Sequence, residues 1–154
     1  LVSIPVEPKY ELPEDYRLKS GQGVVLREGR DAAILSYGPV MLNEAIKAAE
    51  ILEGKGISAA VINHPWLNMV DGEWLSQTLR GFKLIATLDD HYVTLGQGMI
   101  LASAILRHLA DRPRFLPLGV EDVPACGQNT EVLAHHKLDG RAIAERIAEE
   151  LRFI

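Results

Sequence analysis

The sequence predicts an α/β protein in which strands and helices alternate to form a three-layer α/β/α sandwich around a five-stranded sheet. Three observations lead to this prediction. Short apolar runs of strand length recur along the chain, helical patterns separate most of them, and glycines lie at many of the junctions. Runs that are apolar throughout are typical of parallel strands buried on both faces. The 154 residues are enough for one domain with a substantial core.

The chain opens with a segment of different character, residues 1–22, which contains three prolines and no sustained periodicity. We predict an extended lead-in here and a folded domain over residues 23–154. Such an arm usually lies across a neighbouring surface, and the alternative is a frayed terminus.

The first two strands are predicted at residues 24–28 and 31–38. Only two residues join them, which is too short for a crossover between parallel strands. The first strand must therefore run antiparallel, either in a hairpin with the second or elsewhere in the sheet. The other three strands each follow a helical pattern and are expected to be parallel, at residues 57–63, 82–89 and 114–120.

The helices are predicted from apolar repeats of three and four residues and from the residues at their ends. Pro39 suits the first turn of the first helix, and glycines end that helix after Leu52. Asp71 is expected to cap a second helix that runs through about residue 80. The remaining helices are predicted at residues 97–110, at residues 128–134 and from a cap at Asp139 onward.

Composition narrows the function classes. The net charge of -5 without a basic cluster argues against nucleic acid and anionic membranes as partners. No apolar run approaches the roughly 20 residues that span a bilayer, and no signal-peptide pattern opens the chain. Cys126, the single cysteine, cannot form an internal disulfide, so we expect a cytoplasmic location. Because the chain begins at Leu1 rather than at a methionine, we expect a piece of a longer protein.

The stretch LDDHYVTLGQGMILASAIL, residues 88–106, contains most of the candidate site residues. Gly96 and Gly98 would let a ligand approach the backbone, and the following helix presents free N–H groups to a phosphate or another anion. In the structural alternative, these glycines adopt a backbone conformation that a β-carbon would strain, and the helix packs close to the sheet. Asp89, Asp90 and His91 would then lie at the carboxyl end of the strand and face solvent or a partner.

We predict no catalytic residue and no metal ligand. A Ser-His-Asp triad is disfavoured because no G-x-S-x-G pattern is present and adjacent Asp and His side chains diverge. A metal site that adds His64 lacks distinctive ligand spacing. Trp66, which follows the same strand end, could anchor an interface. The possible anion or interface site therefore comprises Asp89, Asp90, His91, Gly96, Gly98, His64 and Trp66.

Cys126, His135 and His136 border the short helix predicted at residues 128–134. A thiol before a helix start can have a lowered pKa, but a passive or buried thiol is the simpler interpretation. We interpret the two histidines as surface residues rather than as ligands.

Four segments together resemble a known family: GQGVVLREGRDAAILSYGPVMLNEAIKAAEILEGKGISAAVIN, FKLIATLDDHYVTLGQGMILASAI, RFLPLGVEDVPACG and HKLDGRAIAERI. Their order and spacing are similar to those of the transketolase-type C-terminal domain. That domain occurs in transketolase, in deoxyxylulose-phosphate synthase and in the β subunits of 2-oxo-acid dehydrogenases. The sequence departs from the pattern in HPWLNMVD, where Asn68 and Met69 stand at positions that often hold a basic residue and a proline.

The resemblance implies a parent enzyme that uses thiamine diphosphate and Mg²⁺ for ketol transfer or for decarboxylation of 2-oxo acids. It implies that the cofactor lies between two other domains, which would be this chain's partners, and that no cofactor residue maps onto this sequence. The lead-in resembles the linker from the pyrimidine-binding domain. The C-terminal domain of the family mainly supports the dimer and the scaffold, so we expect the isolated chain to be inactive.

Apolar residues also suggest a homodimer from the sequence itself. The lead-in and the loop after the 57–63 strand could form one exposed patch that a twofold dimer would bury. Alternatively, the arm folds back and covers that loop. The residues concerned are Leu1, Val2, Ile4, Val6, Tyr10, Leu12, Tyr16, Trp66, Leu67, Met69 and Val70.

Two other functions remain open at the level of the sequence. The chain could be a stand-alone small α/β module that binds a phosphate-bearing ligand at the carboxyl ends of the strands. It could also be a free-standing enzyme that uses the edge formed by Asp89, His91 and His64.

Overall fold

The computed structural model describes residues 10–154. The apolar residues Leu1, Val2, Ile4 and Val6, which the dimer hypothesis includes, lie outside the described residues. The strands are β1 (Val24–Arg27), β2 (Ala32–Ser36), β3 (Ala59–Asn63), β4 (Leu84–Tyr92) and β5 (Arg114–Val120). The helices are α1 (Pro39–Glu53), α2 (Gly72–Leu79), α3 (Gln97–His108), α4 (Asn129–His135) and α5 (Gly140–Leu151).

The five strands form one mixed sheet in the order β1-β3-β2-β4-β5. Strands β2, β3, β4 and β5 are parallel, and β1 pairs antiparallel with β3, with Val24 opposite Asn63. The predicted mixed sheet with an antiparallel first strand is therefore confirmed. Of the two alternatives for β1, the structure has the second, because β1 pairs away from its neighbour in sequence instead of forming a hairpin with β2.

Helices cover both faces of the sheet and bury two apolar cores. Helices α1 and α5 pack on one face, where Ile34, Val61 and Ala86 point, and α2 and α3 pack on the other, where Leu35 and Ile85 point. Every residue of β2 is buried. Because alternate side chains of a strand point to opposite faces, a central strand between two helical layers has to be apolar throughout, which explains its sequence pattern.

Helix starts follow the predicted caps. The Asp71 carboxylate accepts the backbone N–H groups of Glu73 and Trp74, and the Asp139 carboxylate does the same for the first turn of α5. Pro39 begins α1 after Gly38, whose φ of 71° a β-carbon would strain. Within residues 10–154, none of the helices combines the length and the apolar character that a membrane span requires.

Candidate functional site

The predicted site residues lie at the carboxyl edge of the parallel sheet. His64 and Trp66 are in the loop between β3 and α2, and Asp89 is the last buried residue of β4. Strand β4 continues three residues beyond its predicted end, as far as Tyr92, which pairs with Val120 of β5. The three residues of this extension, Asp90, His91 and Tyr92, are exposed, whereas the preceding residues of β4 are buried.

The Asp89 side chain binds the N-terminus of α3. Its Oδ1 accepts the backbone N–H of Gln97 at 2.9 Å and the Tyr37 hydroxyl at 3.0 Å, and its Oδ2 accepts the N–H of Gly98 at 3.0 Å. The side chain is buried, with 1% of its surface exposed. The two first amides of a helix carry partial positive charge, so the protein itself supplies the anion that this helix N-terminus favours.

The bonds between Asp89 and the start of α3 argue against the phosphate-binding alternative. An external phosphate at the start of α3 would have to displace the Asp89 carboxylate from the amides of Gln97 and Gly98. Those amides are the donors on which the anion hypothesis depended. The Tyr37 hydroxyl is also committed, because it donates to Asp89. Burial, and after it the charge of Asp89, raises the pKa of Tyr37.

Gly96 and Gly98 are required for close packing and not for an unusual backbone conformation. The expectation of a strained φ is wrong here, because Gly96 has a φ of -73° and Gly98 is helical. A β-carbon on Gly96 would lie 2.7 Å from the Tyr92 carbonyl oxygen, and one on Gly98 would lie 2.5 Å from Oγ1 of Thr87. The residue with a left-handed backbone in this turn is Leu95, at φ 66°.

His64 is buried in a network that the sequence did not reveal. Its Nε2 lies 3.2 Å from the Gly21 carbonyl oxygen, its Nδ1 lies 3.2 Å from Nε2 of Gln97, and its ring stacks on Trp74. The Gln97 side chain also donates to the carbonyl oxygens of His64 and Trp66, at 2.7 and 2.8 Å. Gln97 thus joins the β3–α2 loop to the start of α3. Its position between two glycines was the only signal for this role.

Asp90 and His91 are exposed and stay apart from this network. Loss of hydration at its carboxyl group, followed by the charge of Asp89, raises the pKa of Asp90. His64, by contrast, has no exposed surface. Among residues 10–154, no group of three or more His, Cys, Asp or Glu side chains is placed to hold a metal ion. The His91 ring contacts Tyr92 edge-on, whereas Asp89 and His64 are buried and bonded to the start of α3 and to Gly21.

Apolar side chains are exposed around this edge. Leu95 is 87% exposed, and the loop that contains the half-buried Trp66 adds two further exposed apolar residues. The outward side of α3 continues the apolar character with Leu106, which is 69% exposed. We call the following residues the edge surface: Leu67, Met69, Leu95, Met99 and Ile100.

The remaining candidates lie beyond β5. Cys126 and His135 are exposed. Nε2 of His136 accepts the backbone N–H of Ala125 at 3.0 Å, so this side chain holds the loop that precedes α4. It has a structural partner, and it is the more buried of the two histidines.

Comparison with known proteins places this fold in a family. The family model described as "Transketolase, C-terminal domain" matches residues 21–143. A transketolase C-terminal section from Methanocaldococcus jannaschii is 31% identical over 144 residues, which cover 93% of this chain and 44% of that protein. A 1-deoxy-D-xylulose-5-phosphate synthase from Syntrophotalea carbinolica is 32% identical over 142 residues, 89% of this chain and 22% of that protein.

Solved structures agree with these relatives. A split-gene transketolase, described as an inactive beta4 tetramer, superposes with a TM-score of 0.80 at 28% identity and covers 92% of this chain and 46% of its own. A transketolase from Pichia stipitis shares the fold, with a TM-score of 0.65 at 21% identity over 86% of this chain and 18% of its own. The chain spans less than half the length of each of these proteins. The chain belongs to the transketolase C-terminal domain family.

Proposed function

We propose that this chain is the C-terminal section of a thiamine diphosphate-dependent, ketol-transferring enzyme of the transketolase family, and that it supports the dimer and the scaffold. The chain matches only 44% and 22% of the length of these two relatives, which supports partners in the form of upstream thiamine-binding domains or a separate subunit. The single cysteine, exposed and without a disulfide, is consistent with a cytoplasmic enzyme.

The observation that carries the dimer is the edge surface. Its five residues are each at least 36% exposed, and all are large apolar side chains. The loop after β3 and the start of α3 are joined where Gln97 donates to the Trp66 carbonyl oxygen, so both segments contribute to one region. Clustered apolar side chains of this kind on a folded domain mark interaction sites more often than free surface.

Leu95 gives the strongest single indication that the edge surface is buried in a dimer. A leucine in the left-handed region costs about 1 kcal/mol relative to glycine or asparagine, because its Cβ crowds the following carbonyl. Leu95 has φ 66° and is 87% exposed, so its side chain buries little apolar surface within the folded chain. An apolar side chain held outward at a cost in conformational energy is explained by a partner that buries it.

The described residues do not fit a thiamine diphosphate and Mg²⁺ site. Mg²⁺ in such sites takes carboxylate and other oxygen ligands together with the diphosphate. The buried carboxylate of this edge, Asp89, is already bonded to Tyr37 and to the start of α3. We therefore assign the cofactor to other parts of the enzyme and derive no chemical step through it.

Replacing Leu95 by asparagine should weaken self-association and leave the fold intact. We expect the wild-type chain to form a weak dimer with a dissociation constant on the order of micromolar, since the interface lacks the rest of the enzyme. Asparagine adopts the left-handed conformation without strain, so the melting temperature of the monomer should stay equal or rise. Sedimentation velocity over a hundredfold concentration range measures the first effect, and thermal melting of dilute protein measures the second.

Phe153→Asp is the control for that experiment. Phe153 is 73% exposed but follows α5, whose Glu150 pairs with Arg114 at the amino end of β5, at the opposite edge of the sheet. This variant should associate like the wild type. A wild-type chain that stays monomeric at the highest concentration, or a Phe153 variant that dissociates as much as the Leu95 variant, would contradict the proposed dimer.

A further inference from the structure

The lead-in segment is fastened to the domain at Gly21. The Gly21 carbonyl oxygen accepts the backbone N–H of Asp71 at 2.9 Å and lies 3.2 Å from Nε2 of His64. Gln22 donates its side-chain amide to the Asp71 carboxylate at 2.8 Å. Gly21 has a φ of 71°, and a β-carbon there would lie 2.6 Å from the Asp71 nitrogen. Gly21 and Gln22 therefore hold the end of the segment between His64 and the N-cap of α2, in addition to the packing of Tyr10 against the core on the α1 and α5 side.

The orientation of the Gln97 side chain determines the protonation state of His64. The end of Gln97 that faces the loop lies 2.7 Å and 2.8 Å from the carbonyl oxygens of His64 and Trp66, so it has to be the NH₂ group. The same nitrogen lies 3.2 Å from Nδ1 of His64. An amide nitrogen cannot accept a hydrogen bond, so Nδ1 is unprotonated and Nε2 carries the hydrogen that is donated to Gly21.

We infer that this junction is a proton-operated latch, closed around neutral His64 and opened when the ring takes up a second proton. A hydrogen on Nδ1 would point at the NH₂ group of Gln97. Turning that amide over would place its oxygen against the two carbonyl oxygens that it now bonds. The carbonyl oxygens of His64 and Trp66 partly offset this conflict, but the buried imidazolium gains solvation when the ring leaves the pocket, which breaks its bond to Gly21.

The neighbouring groups do not supply a counter-charge that would keep the latch closed. On α2, the Trp74 ring stacks on His64, and the Asp71 carboxylate is taken up by Gln22 and by the first amides of the helix. Those bonds lower the pKa of Asp71, so it stays ionised throughout the range in which His64 titrates. On the side of β4 and α3, Asp89 faces the helix start, and the His108 ring lies against Gly72.

The direction of the pH effect follows from burial. Burial lowers the pKa of His64, and the backbone carbonyl groups of Gly21, Trp66 and His64 itself work in the opposite sense without cancelling it. The ring of an unfolded or opened chain titrates near its ordinary pKa of about 6.5. The open form therefore binds more protons below about pH 6.5, and the closed form is progressively disfavoured as the pH falls towards the lower pKa of the buried ring.

Amide hydrogen exchange read at Asp71 tests the latch, because this N–H donates directly to Gly21. We expect its protection factor, corrected for the intrinsic rate at each pH, to fall by at least about tenfold between about pH 7.5 and 5. The fall should begin near pH 6.5, the ordinary pKa of the open ring, and level off at the lower pH at which nitrogen NMR shows the His64 ring of the closed form to titrate. Amides of β2, in the centre of the sheet, should keep their protection over the same range.

His64→Gln is the variant that should abolish the effect. Its amide can donate to Gly21 and accept from Gln97 without titrating, so the protection at Asp71 should become independent of pH. His135→Gln, at an exposed position, should behave like the wild type. Two results in the wild type would overturn the latch. In the first, the His64 ring titrates while the protection at Asp71 stays unchanged. In the second, the ring titrates only when the whole domain unfolds. Either result can be read without the variant.

Discussion

Asp89→Ala is expected to lower the free energy of unfolding by about 3 kcal/mol. The substitution removes a buried carboxylate that accepts two backbone N–H groups at the start of α3 and the hydroxyl of Tyr37. Alanine leaves these donors without a partner, and each unsatisfied buried donor costs about 1–3 kcal/mol. Chemical denaturation of the purified chain measures the loss.

Asp90→Ala is the matched control, because Asp90 is the next residue of the same strand and is exposed. Loss of hydration at its carboxyl group and the charge of Asp89 already disfavour its ionised form. We therefore expect its removal to leave stability within about 0.5 kcal/mol of the wild type or slightly above it. Equal losses in the two variants would mean that Asp89 does not hold the helix start.

Gly98→Val should cost a comparable amount, about 3 kcal/mol, through overpacking. The new β-carbon would lie 2.5 Å from Oγ1 of Thr87, which is buried, and 3.2 Å from Oδ2 of Asp89. Thr87 is β-branched and lies inside β4, so it has little freedom to move away. Either the start of α3 shifts off the sheet or the bonds of Asp89 to the helix lengthen.

Gly54→Val supplies the comparison for this substitution. Gly54 ends α1 with an ordinary helical backbone, and the nearest atom to a β-carbon there is 3.4 Å away. Its loss of stability should stay below about 1 kcal/mol. If thermal melting shows the same loss of stability for the Gly98 and Gly54 variants, close packing does not explain the glycine at the start of α3.

The architecture could be predicted because local signals agree with tertiary packing. The apolar run of β2 indicated a strand between two layers, and Asp71 and Asp139 marked helix starts that the structure confirms. The pairing of β1 with β3 was not predictable. Its short connection excluded a parallel crossover but did not indicate which strand it would join.

The details of the edge could not be predicted because they depend on contacts between residues far apart in sequence. Asp89 was a candidate for facing solvent, yet it turns inward because the amides of α3 need an acceptor. Gln97 was unremarkable between two glycines, because its three side-chain contacts are all with the β3–α2 loop, which is distant in sequence. Leu95 carried no signal, since a leucine in a sequence does not predict a left-handed backbone.

Calorimetric titration of the chain with thiamine diphosphate and Mg²⁺ is the most direct test of the proposal that the cofactor binds to other parts of the enzyme. The chain alone should give no binding heat, because Asp89 is committed and no cluster of carboxylates is available within residues 10–154. A sample that combines the chain with the upstream thiamine-binding section should bind the cofactor. Magnesium-dependent binding by the isolated chain, with a dissociation constant on the order of micromolar, would contradict the assignment of the cofactor to the rest of the enzyme.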